Sequence, residues 1–138
     1  MNTLHWMIGR RLIRITRREY DWVFNFDGDV SLVVEHLWRL LESGRIRSTS
    51  EDHGHQFGLP APVDAVEELR KTLMGASIAG VEVQDGTLDL RLRFETGHVL
   101  EVLPTSSGYE SWNLSVSNKT FIATGGGELA IFEDKKGG

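Results

Sequence analysis

Two short stretches hold the residue types from which a site could be built. The first is Glu51-Asp52-His53-Gly54-His55-Gln56. Two imidazoles two positions apart can face one ion on an extended backbone, and neutral imidazole beside a carboxylate suits zinc or iron. A closed site needs further ligands. The chain offers only His5, His36, His98 and scattered carboxylates, and nothing in their spacing brings them together. The competing reading is a polar turn in which Asp52 bonds backbone amides around Gly54. The second stretch is Gly108-Tyr109-Glu110-Ser111-Trp112, where two large aromatics flank a carboxylate, the chemistry of interface hot spots. Trp112 reads as a core residue at the start of a strand, which leaves Tyr109 and Glu110 for contact with a partner.

Other chemistries lack their residues. With no cysteine there are no disulfides, thiolate metal sites or cysteine nucleophiles. No pattern pairs a base with an activated nucleophile. Gly125-Gly126-Gly127 is not a phosphate loop, because no Lys-Ser or Lys-Thr follows and Glu128 to Phe132 read as strand. The arginines from Arg10 to Arg18 could touch phosphate, but they also suit an edge strand whose charge blocks further pairing. A net charge of -5 over 138 residues argues against nucleic acid and for a basic partner. The expectation is a chain that is not an enzyme, without metal or other cofactor, whose partner-binding residues are Glu51, Asp52, His53, His55, Tyr109 and Glu110.

The elements that would carry these residues are mostly strands. Leu88, Leu90, Leu92 and Phe94 alternate with charged residues, and Leu100 and Val102 return on the same face after a turn at Thr96-Gly97. Further strand patterns cover residues 9 to 18, 20 to 26, 30 to 34, 45 to 49, 77 to 83, 111 to 116, 120 to 123 and 129 to 132. Asp27-Gly28 and Ser117-Asn118 mark hairpins. Glu35 to Leu41 fits a helix or a strand; we read it as continuing a long strand from Val30, because Arg45 to Thr49 resumes a strand pattern. One helix is expected near residues 63 to 74, with Pro62 at its start, a stripe of Val66, Leu69 and Leu73, and Gly75 as its stop. The fold class is therefore α+β: mainly antiparallel sheet, eight to ten short strands and one covering helix. Length and composition indicate a single domain over 1–138, with a short disordered tail from about residue 133.

The halves also resemble each other. Gly9, Leu12, Ile15, Phe24, Phe26 and Gly28 correspond in order to Gly75, Ile78, Val81, Leu92, Phe94 and Gly97, at offsets drifting from 66 to 69. Two copies of a meander joined by a helix would explain this, although common strand patterning could mimic it. No apolar run approaches the length of a membrane span, and the N-terminus lacks a secretory pattern, so a cytoplasmic location is expected.

SEDHGHQFG, FETGHVLEVLP, GYESW and GGGELAIF, in that order, resemble an uncharacterised family of small bacterial proteins of unknown function. The resemblance spans about Gly9 to Phe132, and Tyr-Glu-x-Trp is its most specific part. It implies no catalytic residue or cofactor. Such proteins look like small members of bacterial toxin–immunity loci. The functional expectation is a non-catalytic protein-binding module of the immunity type, neutralising a basic toxin domain. The alternatives are a metal or enzymatic protein using Asp52, His53 and His55, and a structural or oligomerisation module using its strand edges.

Overall fold

The computed structural model describes residues 3–134. Eleven strands are found there: β1 (Leu12–Arg17), β2 (Trp22–Phe26), β3 (Val30–Val34), β4 (Leu37–Glu42), β5 (Arg45–Thr49), β6 (Ile78–Val83), β7 (Leu90–Phe94), β8 (Val99–Leu103), β9 (Trp112–Val116), β10 (Lys119–Thr124) and β11 (Glu128–Glu133). All pairings are antiparallel. One sheet has the order β1-β2-β3-β9-β10-β11 and the other β5-β4-β8-β7-β6. The α+β, mainly antiparallel reading holds.

Period-two patterning explains why the sheets share one core. Trp22, Phe24 and Phe26 alternate with half-exposed neighbours, as do Val30, Leu32 and Val34 opposite them. Trp38 of β4 then stands edge-on to Trp22 of β2 at 5.2 Å, joining the two inner faces. Trp38, Trp112, Phe24, Phe26, Phe94 and Phe121 are the largest side chains sealed inside.

The run from Val30 to Leu41 is not one long strand. It breaks at Glu35 and His36, and β3 and β4 lie in different sheets. The inward positions Val34, Trp38 and Leu40 keep a period of two, so the sequence signal passes through the break unaltered. That break makes eleven strands where eight to ten were expected.

The helix α1 is Ala65–Leu73, with Asp64 as N-cap accepting the Glu67 amide at 3.2 Å. Pro62 therefore lies before the cap, not in the first turn. Ala65, Leu69 and Leu73 are buried, while Val66 is only partly so. The helix lies against β1 and β5, so what it covers is the open side between the edge strands of the two sheets. At the far end of the chain Glu133 closes β11 and the Asp134 amide bonds the Asn118 carbonyl, so order extends past the expected start of a tail; residues 135–138 lie outside the described residues.

The internal resemblance has a structural counterpart. Gly9 donates to the Ile78 carbonyl and Gly75 to that of Leu12; Leu12 donates to Ala76 and Ile78 to Arg10. Each pair maps onto the other at an offset of 66, as an approximate two-fold axis through the Arg11–Ser77 bridge requires. Both β1 and β6 carry a bulge at matching positions, Leu12/Arg14 and Ile78/Gly80. Through β2 and β3 the offset is 68: Trp22 faces Val34 as Leu90 faces Val102, and Phe24 faces Leu32 as Leu92 faces Leu100; Trp38, paired with Val102, then answers to Trp112, paired with Val34. The step from 66 to 68 is a two-residue longer turn between β6 and β7. At 68, Gly97 pairs with Asp29, which also has positive φ, rather than with Gly28. Each copy spends three strands in one sheet and passes its next strands into the other, two from the first copy and three from the second. The 3-10 turn His5–Met7 stands where α1 stands in the second copy: Met7 is sealed like Leu73, and Trp6 packs on Phe121 of β10.

Candidate functional site

At one end of the six-stranded sheet, Trp22, Val34 and Trp112 lie in register on three neighbouring strands. The residues just beyond them line a concavity of about 550 Å³: Tyr20, Glu35, His36, Tyr109 and Glu110. Each arrives through a built turn. Between β1 and β2, Arg18 grips both carboxylate oxygens of Asp21, and the Arg18 amide and Arg17 guanidinium hold the Asp21 carbonyl at 2.9 and 3.0 Å. This clamp leaves Tyr20 at the tip, 79% exposed. Glu35 sits at the break between β3 and β4, its amide bonding the Ser111 carbonyl at 2.9 Å.

The loop before β9 is fixed from two sides. Ser106 Oγ accepts the amides of Gly108 and Tyr109 at 3.0 and 2.9 Å. Gly125 packs so closely on the Gly108 backbone that a Cβ there would overlap it. Part of the triple glycine is thus explained: it is a hairpin loop between β10 and β11 that presses on the loop carrying Tyr109 and Glu110. Tyr109 stands 80% exposed. Two exposed tyrosines here stand beside carboxylates and an imidazole, and Tyr offers rigid, amphipathic contact area.

The electrostatics at this end are strained. Partial burial pushes the Glu35 carboxyl above the usual range, and the charges of Asp21 and Glu110 push it the same way, against the smaller opposing pull of Arg18 and His36. A cation placed there would relieve both the lost hydration and the repulsion.

The stretch Glu51 to Gln56 lies on a different concavity. Glu51 is exposed in the 3-10 turn Ser50–Asp52, and Asp52 lines a groove of about 610 Å³ with Ser48, Phe57, Leu59, Pro62 and Lys71. Tyr109 and Glu110 do not line that groove, so the structure does not combine the two predicted patches into one pocket. His53 Nδ1 accepts the Ala65 amide at 3.1 Å and its ring stands edge-on to Trp22 at 5.3 Å. That histidine joins the helix start to the core. His55 stacks on Phe57 at 5.6 Å. Among the described residues no three His, Asp or Glu side chains converge as metal ligands.

Other charged groups are satisfied within the fold. Arg10 and Arg17 lie over Trp6 and Trp22, Arg11 pairs loosely with Asp27, and Arg18 holds Asp21. On the outer face of the five-stranded sheet, Glu101 is buried between its cross-strand partners Arg39 and Arg91, bonding each at 2.6 Å. Both its oxygens are taken, so the polar concavity beside it has no free carboxylate from this residue.

Sequence reasoning missed Tyr20, Glu35 and His36. Tyr20 alternates with Trp22 and Phe24 and so reads as a core strand residue, yet it lies outside the strand and in solvent. The internal repeat held a signal. At an offset of 68, Tyr20 corresponds to Leu88 and Glu35 to Leu103. Leu88 is buried at positive φ, and its carbonyl accepts the Trp112 indole N–H at 2.9 Å. The equivalent indole, that of Trp38, has no partner. One copy folds an apolar residue inward at this place; the other presents a tyrosine and a carboxylate.

These features define a two-sheet antiparallel β protein with one helix, built on a duplicated meander and presenting an acid–aromatic recess at one sheet end. The chain belongs to the family of unknown function DUF6188, which it matches over residues 3–133. Neither a curated protein nor a solved structure matched the chain. Among the described residues no helix is long and apolar enough to cross a membrane.

Proposed function

We propose that this protein is a non-catalytic binding module of the immunity type, which neutralises a bacterial toxin in the cytoplasm by covering a basic surface on it. The observation that carries the reading is the recess that sets Tyr20 and Tyr109 beside Glu35 and Glu110. Aromatics with adjacent charge dominate binding energy at interfaces, and a net charge of -5 would steer a basic partner toward it. The amphipathic tyrosines supply area, and the carboxylates supply sign. Asp52, on the second groove, and Glu51, beside it in the 3-10 turn, would form a second part of the contact.

The experiment expresses each protein encoded beside this chain, alone and together with it. Growth arrest by one neighbour that this chain relieves, with loss of relief in the folded double variant Glu35→Lys/Glu110→Lys, is the expected result. A set of neighbours that includes no growth inhibitor relieved by this chain overturns the immunity reading.

A second reading is association through a sheet edge. It is favoured by β11, an edge strand with Ile131 and Phe132 48% and 58% exposed. Light scattering across a concentration series tests it: a dimer that Phe132→Lys dissociates supports edge pairing, and a monomer at every concentration removes it.

A further inference from the structure

We propose that the recess lined by Tyr20, Glu35, His36, Tyr109 and Glu110 receives one arginine side chain of a protein partner, its guanidinium against the tyrosine rings and bonded to the two carboxylates. The inference deepens the protein-binding reading and rests on it, but it specifies a chemical class that can be tested without knowing the partner.

The occupant follows from the walls. Glu35 is half-buried at the break between two strands and Glu110 sits on the facing loop. Together they supply negative charge that no side chain among the described residues pairs with, and the Arg18 guanidinium, whose charge Glu35 feels, is held on both oxygens of Asp21. An anion is therefore disfavoured and a cation favoured. The two tyrosines stand about four-fifths exposed and both line the recess, so their rings and hydroxyls are open to an occupant. Among biological cations, the planar guanidinium both stacks on aromatic faces and forks onto carboxylates, whereas an ammonium is a compact, strongly hydrated point charge. The volume of about 550 Å³ accommodates an arginine side chain with the backbone that presents it.

The titrating groups that face Glu35 agree with this. Asp21 and Glu110 raise its carboxyl from the two flanking loops, and Arg18 and His36 oppose them. A bound guanidinium would favour the ionised carboxylate, so occupancy should fall as acid protonates Glu35.

The test titrates isotopically labelled full-length protein with N-acetyl-arginine amide, following backbone amide shifts. The uncharged citrulline and the lysine analogues serve as comparisons. We expect saturating shifts clustered at Tyr20, Glu35, His36, Tyr109 and Glu110, with a dissociation constant on the order of 1 mM, as befits one side chain. Citrulline should produce no saturation, and lysine should bind at least about threefold more weakly. Glu35→Gln and Tyr109→Ala, each checked for a native amide spectrum, should weaken arginine binding about tenfold or more, and raising salt should weaken it in the parent protein. Absent shifts at these five residues, or citrulline binding as well as arginine, overturns the cation recess. Lysine binding tighter than arginine overturns the guanidinium assignment. A failed growth rescue leaves these shifts untouched, and absent shifts leave a rescue untouched, so the two proposals fail separately.

Discussion

Trp38 and Trp112 are equivalent under the internal duplication and both are sealed from solvent, yet their indoles are treated differently. Trp112 Nε1 donates to the Leu88 carbonyl at 2.9 Å; Trp38 Nε1 has no hydrogen-bond partner. Replacing each by phenylalanine removes the same atoms from the same core, so the transfer and cavity costs are comparable and largely cancel in a comparison. The polar effects carry opposite signs. Trp112→Phe orphans a buried carbonyl, at a cost of about 1–3 kcal/mol, whereas Trp38→Phe deletes an orphaned donor and recovers a similar amount. Trp112→Phe should therefore be the more destabilising by about 2–6 kcal/mol. A chain of this length unfolds with an entropy of about 0.29 kcal/mol per kelvin, so that gap corresponds to roughly 7–21 °C in Tm. Thermal and urea unfolding followed by far-ultraviolet circular dichroism measures both, with equal urea slopes required for the comparison. Equal losses, or a larger loss for Trp38→Phe, would refute the assignment of the Leu88 carbonyl as a bond that matters.

Three further substitutions probe separate parts of the fold. Gly127→Ala puts a Cβ onto the Gly86 carbonyl oxygen at a φ of +88, and should destabilise by about 2–5 kcal/mol in urea titration. Glu101→Leu deprives Arg39 and Arg91 of their shared partner; because both guanidiniums are partly solvated, the expected loss is about 1–3 kcal/mol, shrinking in high salt. Glu42 is held below the usual carboxylate range chiefly by its hydrogen bond to His98, so it stabilises the fold above the ordinary glutamate pKa and loses that contribution as pH falls through its depressed value. His98→Phe should remove that part of the acid dependence, and an unchanged pH–Tm profile would count against the pair.

How much was legible follows from which signals are local. Alternation from Leu88 to Val102 and the glycine turns are properties of adjacent residues, so strands, hairpins and core could be read, and Leu90, Leu92, Phe94, Leu100 and Val102 are all buried. Leu88 continues the same alternation yet leaves the strand at a φ of +63, because the longer β6–β7 turn tucks it under Trp112. The alternation of Val34, Trp38 and Leu40 survived a break between sheets, which is why a two-strand run read as one. Tyr109 and Glu110 stand out in the sequence because an aromatic beside a carboxylate is a property of adjacent residues. Tyr20 and Glu35 join them only through the register of β2, β3 and β9, which no stretch of sequence contains. His53 was read for its chemistry, but its nitrogen is used by an amide twelve residues away.

The duplication also says what the recess costs. Where the first copy has Glu35, the second has Leu103, at the same place relative to its tryptophan-bearing neighbour strand. An apolar residue is therefore compatible with this backbone. Glu35 instead carries a carboxyl raised first by burial and then by Asp21 and Glu110. A carboxyl whose folded value exceeds its unfolded one stabilises the fold below the ordinary glutamate pKa, and that contribution disappears as pH rises through the raised value. At neutral pH the ionised group is a burden that the second copy avoids. Glu35→Leu should accordingly raise Tm at pH 7–8, with the advantage narrowing as the buffer is taken down through the carboxylate range, while binding of N-acetyl-arginine amide is lost. A variant that is less stable than the parent at pH 8 would mean that Glu35 is a structural residue whose repulsion is already compensated. One that is more stable but still binds arginine would move the cation to Glu110 alone. Stability gained together with binding lost is the result that a recess maintained for a partner requires.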